Sequence, residues 1–203
     1  MSVIAPSVPL QPALGLRDLR LYGFVAVFTL GNLVAPMAVH SIPQGGLIFL
    51  PIFFFTLVAG YRFGFAAGAL TGLASPLLNH ALTGMPPAEM LVPVLAKSLL
   101  IAAIAALLAS RSRRLDPWTL LLAAASMQLA GFVFDLASGG RVAAGLDALR
   151  LGIPGVAIMG FGGYAVLRLM AVAGIGRVRG HAADARDATD AADAADAADA
   201  GAV

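Results

Sequence analysis

The sequence predicts an all-α integral membrane protein of six transmembrane helices with both termini in the cytoplasm, and three observations carry that prediction. Sixty per cent of the 203 residues are apolar, 12% are charged and mean hydropathy is +0.89; soluble domains carry about 25% charged residues. Apolar runs recur along residues 21–174, enough for about six spans at ~20 residues each. The arginines are distributed unevenly between the ends of those runs. With the N-terminus inside, the inner segments hold Arg17, Arg20, Arg62, Arg111, Arg113, Arg114, Arg168, Arg177, Arg179 and Arg186, while the outer ones hold Arg141 and Arg150. That is the positive-inside pattern. There is no cysteine, which excludes disulfides, zinc–thiolate sites and cysteine nucleophiles.

Residues 1–20 read as an irregular lead-in, with Pro6, Pro9 and Pro12 ahead of Arg17, Asp18 and Arg20. The first run, Leu21 to about Val39, is expected to be an uncleaved span with Asn32 at its centre and a small-xxx-small pair at Gly31 and Ala35. His40–Gly46 is rich in turn residues and cannot continue a helix. The second run is Leu47–Ala59, with Pro51 near its start and the block Phe53, Phe54, Phe55. Tyr61 and Arg62 make a tight turn into the third, Phe63 to about His80, so these two are antiparallel neighbours. Thr83–Pro87 closes the hairpin. The fourth run, Ala88–Ala109, opens on Glu89, which suits the positive end of a helix dipole, and contains Lys97, the single lysine of the chain. The fifth, Trp118–Ala137, contains Gln128 and Asp135. A loop over Ser138–Asp147 leads to the sixth, Leu149–Val172.

Residues 175–203 form an Ala/Asp-rich extension with Asp at 184, 187, 190, 193, 196 and 199. A period of three matches neither a helical face nor a strand, so a disordered cytoplasmic tail is expected.

Gly60, Gly64, Gly68 and Gly72 recur every four residues and would drift about 40° per step on a helix, forming one stripe that lets another helix approach. Polar side chains concentrate in the outer half of the bundle. Asn79 and His80 lie ~26 Å up the third span, Asp135 ~26 Å up the fifth, and Lys97 ~12 Å below the outer start of the fourth. Intramembrane groups of this kind face a cavity or each other, which makes them candidates for a functional site. Lys97 can pair with Asp135 across two helices, or receive a ligand carboxylate with His80 or Arg150 nearby. Asn32 can bond between helices or reach a ligand.

The stretch LPIFFFTLVAGYRFGFAAGALTGLASPLLNHALTGMPP, followed by a span ending in a basic run, resembles the substrate-binding S components of energy-coupling factor (ECF) vitamin transporters. The resemblance covers about residues 20–172. It implies six helices and a small anionic vitamin or related micronutrient held near the outer face. It also implies a gate in the loop joining the first two helices, here His40, Gln44 and Gly45, and partners in the form of a transmembrane T component and two ATPase subunits. On that reading Asn32, Asn79, His80, Lys97, Asp135 and Arg150 bind substrate, with Arg141 beside them. Gly31 and Ala35 stand nearest to the docking motif of the family. Metal-transporting relatives carry an N-terminal histidine motif, and residues 2–20 hold no histidine. The lipid bilayer is the remaining partner; no cofactor, metal or nucleic acid is expected, and the location is the bacterial inner membrane.

The residues leave two other classes open. No Gly-x-x-x-x-Gly-Lys-Ser/Thr run exists, so any ATP hydrolysis belongs to another subunit. An intramembrane enzyme would draw on His80 and Asp135, with Ser75 as nucleophile or His40 as a further metal ligand, and a structural scaffold would need none of them.

Overall fold

Glycine and proline decide where one helix stops and the next begins. The computed structural model describes residues 13–39, 43, 45–112 and 115–175, and every regular element among them is helical. Helix α1 spans Leu19–Val39, α2 is the short Gly45–Phe49, α3 runs Pro51–Phe63 and α4 Phe65–Thr83. Beyond them lie α5 (Ala88–Ser112), α6 (Pro117–Ala137), α7 (Val142–Leu151) and α8 (Ile153–Val172), the last widening into a π turn over Ile158–Gly162. Four of these, α1, α5, α6 and α8, are long and apolar enough to cross a membrane.

The second and third apolar runs take other forms. The second is broken. Leu50 adopts φ 51° and ψ 40°, a left-handed conformation that costs a residue with a Cβ roughly 1–2 kcal/mol, and Pro51 then starts α3 without an amide to donate. The break sits on α8, because a Cβ at Gly155 would lie 2.7 Å from the Ile48 carbonyl oxygen and 2.9 Å from the Phe49 carbonyl carbon. The third run, α4, has its polar side turned inward. Thr71, Ser75 and Asn79 are buried, whereas Phe65, Leu77, Leu78 and Leu82 are exposed. Internal polar groups lower its mean hydropathy while its outer surface carries apolar side chains.

The loop expected over Ser138–Asp147 is mostly helix. α7 begins at Val142, and the sixth run, expected to be continuous from Leu149, is divided at Gly152. Two glycines allow this. A Cβ at Gly145 would lie 2.5 Å from ring atoms of Phe132, so α7 rests on that ring, and Gly152 receives the Gln128 side chain of α6.

The glycine stripe is also redrawn. Gly64 is the hinge between α3 and α4, at φ 90° and ψ 179°, so the four glycines do not share one helix. The stripe is folded back on itself. A Cβ at Gly68 would lie 2.8 Å from the Gly60 Cα and 2.9 Å from the Ala102 Cβ, and one at Gly60 would lie 3.0 Å from the Ala102 carbonyl oxygen. One at Gly72 would lie 3.0 Å from both the Ser98 Cβ and the Thr56 Cγ2. Three backbones therefore meet where α3, α4 and α5 cross, and α5 matches the glycines with small residues of its own, Ser98, Ala102, Ala105 and Ala109. Gly31 of α1 likewise receives the Phe55 ring of α3, and Ala35 is half-buried, so Gly31 packs within the chain.

Around this crossing, α1 lies against α3 and α4, α6 packs on α5, and α8 packs on α6 and returns to α3. Leu57 and Val58 of α3 meet Leu120 of α6 around Gly163. One end of the bundle is tied by three contacts. The Leu14 amide donates to the Phe63 carbonyl at 2.9 Å, the Tyr61 hydroxyl shares a hydrogen bond with Ser112 at 3.3 Å, and Arg62 Nη2 donates to the Ile175 carbonyl at 3.3 Å. The start of α1, the α3–α4 turn, the end of α5 and the end of α8 are thus gathered together, bringing Arg17, Arg20, Arg62 and Arg111 to one end. The α4–α5 hairpin and the α6–α7 turn are at the other.

Candidate functional site

The polar residues of the bundle form two separate groups with different surroundings. In the first, Asn32 is fully buried and fully engaged. Its Nδ2 donates to Thr56 Oγ1 and to Ser75 Oγ, each at 3.1 Å, and its Oδ1 accepts from the Phe55 amide at 3.0 Å. Ser75 in turn donates to the Thr71 carbonyl at 2.6 Å. Asn32 therefore joins α1, α3 and α4, and the sequence expectation of an interhelical bond describes its geometry here. The hydroxyls of Thr71 and Ser98 are buried nearby, making a polar seam along the glycine crossing.

The second group lies toward the other face of α5. Lys97 enters α5 nine residues after its start at Ala88, ~13 Å along the axis at ~1.5 Å per residue. Its stem then climbs α6, because a Cβ at Gly131 would lie 2.8 Å from Lys97 Cε. Four residues further on, one helical turn, Asp135 Oδ2 accepts from Lys97 Nζ at 3.0 Å. Gly131 is the groove that lets a long cation reach the end of the bundle with its methylenes covered, the behaviour expected of a snorkelling lysine. The side chains are 25% and 42% exposed, so the pair is open on one side.

Asp135, though not Lys97, also lines a cleft of about 160 Å³ between α6 and α7. Asp135 and Arg141 are its charged lining; Phe132, Leu136, Ala144 and Ala148 supply apolar wall, with Gly140 and Gly145 between. The turn that builds it is compact. The Ser138 amide donates to the Phe134 carbonyl and the Gly140 amide to the Asp135 carbonyl, at 3.0 and 2.9 Å, with Gly139 at φ 87°. Arg141 is exposed, stands just before α7 without a side-chain capping hydrogen bond and makes no ion pair with any described residue.

The remaining sequence candidates lie elsewhere. His80 is turned to the α4–α5 hairpin, where Nδ1 shares a hydrogen bond with the Pro86 carbonyl at 2.8 Å, and its own carbonyl accepts from Gly84. Asn79 is buried, and its main-chain carbonyl accepts from the Thr83 hydroxyl at 2.7 Å. Arg150 is exposed on α7 and approaches Asp147 at 3.9 Å, away from Lys97. Gly45 begins α2 and is buried, whereas His40 and Gln44 lie outside the described residues. Ser75 and His80 are engaged with different partners, and no three His, Asp or Glu side chains gather among the described residues. Sequence reasoning missed Gly131 and the glycines of the cleft, although a glycine one turn before an intramembrane aspartate was a usable signal.

Comparison with protein-family models, with curated proteins and with solved structures gives no match to this chain.

Proposed function

We propose that this protein is the substrate-capture subunit of an ECF-type importer in a bacterial inner membrane, holding a small anionic micronutrient at the outer face of a six-span bundle. The spans are α1, the broken pair α2 and α3, α4, α5, α6 and α8. At ~1.5 Å per residue the 19 residues of α4 reach ~28 Å, close to the ~30 Å hydrocarbon thickness. The gathering of Arg17, Arg20, Arg62 and Arg111 at one end supports a cytoplasmic placement of that end, and of both termini with it.

One observation carries the reading: a half-open Lys97–Asp135 pair, built on membrane-length helices, at the edge of a cleft that also holds Arg141. Such a pair adds little to stability in either setting, since water and counter-ions screen it when open and desolvation opposes it when sealed. Asp135, held by Lys97, borders a cleft whose cation, Arg141, has the charge to receive an anion. With no phosphate-binding loop in the chain, transport energy would come from ATPase partners through a transmembrane component, and the protein itself is not an enzyme.

Native mass spectrometry of the protein gently released from detergent tests this. A stoichiometric small mass, lost in Lys97→Ala, is the expected result. No retained mass, together with no small solute raising the melting temperature, would sink the capture reading in favour of a scaffold, because a tight ligand must stabilise the state it binds.

A further inference from the structure

The size and charge of the α6–α7 cleft narrow the ligand further, in an inference that rests on the capture reading above. We infer that the cleft takes a small monocarboxylate with a short aliphatic body, its carboxylate on Arg141 and a hydroxyl or similar donor directed to Asp135. The charge count decides the first part. Lys97 and Asp135 neutralise each other at 3.0 Å, which leaves Arg141 as the uncompensated charge among the described lining residues. One guanidinium matches one carboxylate in a bidentate fork. A dicarboxylate would bring a second negative charge beside Asp135, and an amine would compete with Lys97 for the carboxylate that already holds it.

Volume decides the second part. A cleft of about 160 Å³ is below the usual ~300–1,000 Å³ of drug-sized ligand sites. That suits an acid of a few carbons. The walls agree, since Phe132, Leu136, Ala144 and Ala148 offer an aliphatic body apolar contact and no hydrogen bond from their side chains. Asp135 supplies the remaining polar contact. Only Oδ2 is engaged by Lys97, and the side chain is 42% exposed, so its carboxylate retains acceptor capacity toward the cleft.

The test is titration calorimetry on the full chain in lipid nanodiscs with propionate, lactate, succinate, propylamine and biotin. Lactate should bind best, propionate several-fold more weakly, and succinate and propylamine at least tenfold more weakly than lactate. Arg141→Gln should weaken lactate at least tenfold, Asp135→Asn should remove the advantage of lactate over propionate, and Arg111→Gln, at the opposite end, should leave both unchanged. Tight binding of biotin that depends on Lys97, with neither small acid bound, would overturn this inference while leaving capture standing. Equal affinity in Arg141→Gln, or succinate binding more tightly than lactate, would overturn it also. If none of the five binds and no mass is retained on native release, capture itself fails.

Discussion

Gly68→Ala is the sharpest test of the three-helix crossing, because the obstacle is backbone on one side and a methyl group on the other. The new Cβ would lie 2.8 Å from the Gly60 Cα and 2.9 Å from the Ala102 Cβ. Carbon atoms in contact prefer about 3.5–4.0 Å, so α4 must withdraw by roughly 0.7 Å from α3 and from α5 together. Neither neighbour has a rotamer to change. Overpacking of this kind costs about 1–3 kcal/mol, while Ala in place of Gly inside a helix returns about 1 kcal/mol. The net expectation is a loss of up to ~2 kcal/mol. Gly23→Ala is the matched control, since that glycine lies within α1 with nothing within 4 Å of its Cβ position, and it should gain up to ~1 kcal/mol. Unfolding by sodium dodecyl sulfate from mixed micelles, followed by circular dichroism, measures both. If Gly68→Ala gains stability as Gly23→Ala does, the close crossing of α3, α4 and α5 is wrong.

Two further substitutions address the polar groups. Asn32→Ala removes three hydrogen bonds, each worth ~0.6 kcal/mol on average between membrane helices and more where a buried partner is left unsatisfied, so a loss of ~2–4 kcal/mol is expected in the same titration; a loss under ~1 kcal/mol would remove Asn32 as the joint of α1, α3 and α4. For the ion pair, Lys97→Met and Asp135→Asn should each destabilise, and the double variant should recover most of the sum, with a coupling near ~1 kcal/mol because the pair is partly open to solvent; strictly additive effects would mean that the two charges do not interact.

The parts of the fold legible in the sequence were those governed by local chemistry. Apolar runs marked α1, α5, α6 and α8, and Lys97 and Asp135 stood out as charges within them. What was hidden depended on which helix faced which. The fold-back between the second and third runs was expected at Tyr61 and Arg62, but both lie within α3 and the hinge is Gly64, at φ 90°, which divides the glycine stripe between two helices. The α2–α3 break was partly signalled by Pro51, but the left-handed residue before it is leucine, held by the seat at Gly155 more than a hundred residues away. Helix α7 begins inside the loop expected over Ser138–Asp147, where Gly145 provides close contact with Phe132, a partner on another helix.

The two polar groups make opposite physical commitments, and that contrast gives the coupling measurement a second use. Asn32 is at 0% exposure with its amide satisfied on both sides, so its hydrogen bonds act to fix helix positions. Lys97 and Asp135 are bound to one another yet left open to water or ligand, and replacing a charge pair by apolar groups of similar volume is often neutral or stabilising. Stability alone therefore gives little reason for a lysine in α5. If the double variant is as stable as the parent and no longer retains a ligand, the pair is needed for binding and the fold does not require it. If it is both less stable and still loaded, Lys97 is a strut, and the cleft binds through Arg141 without it.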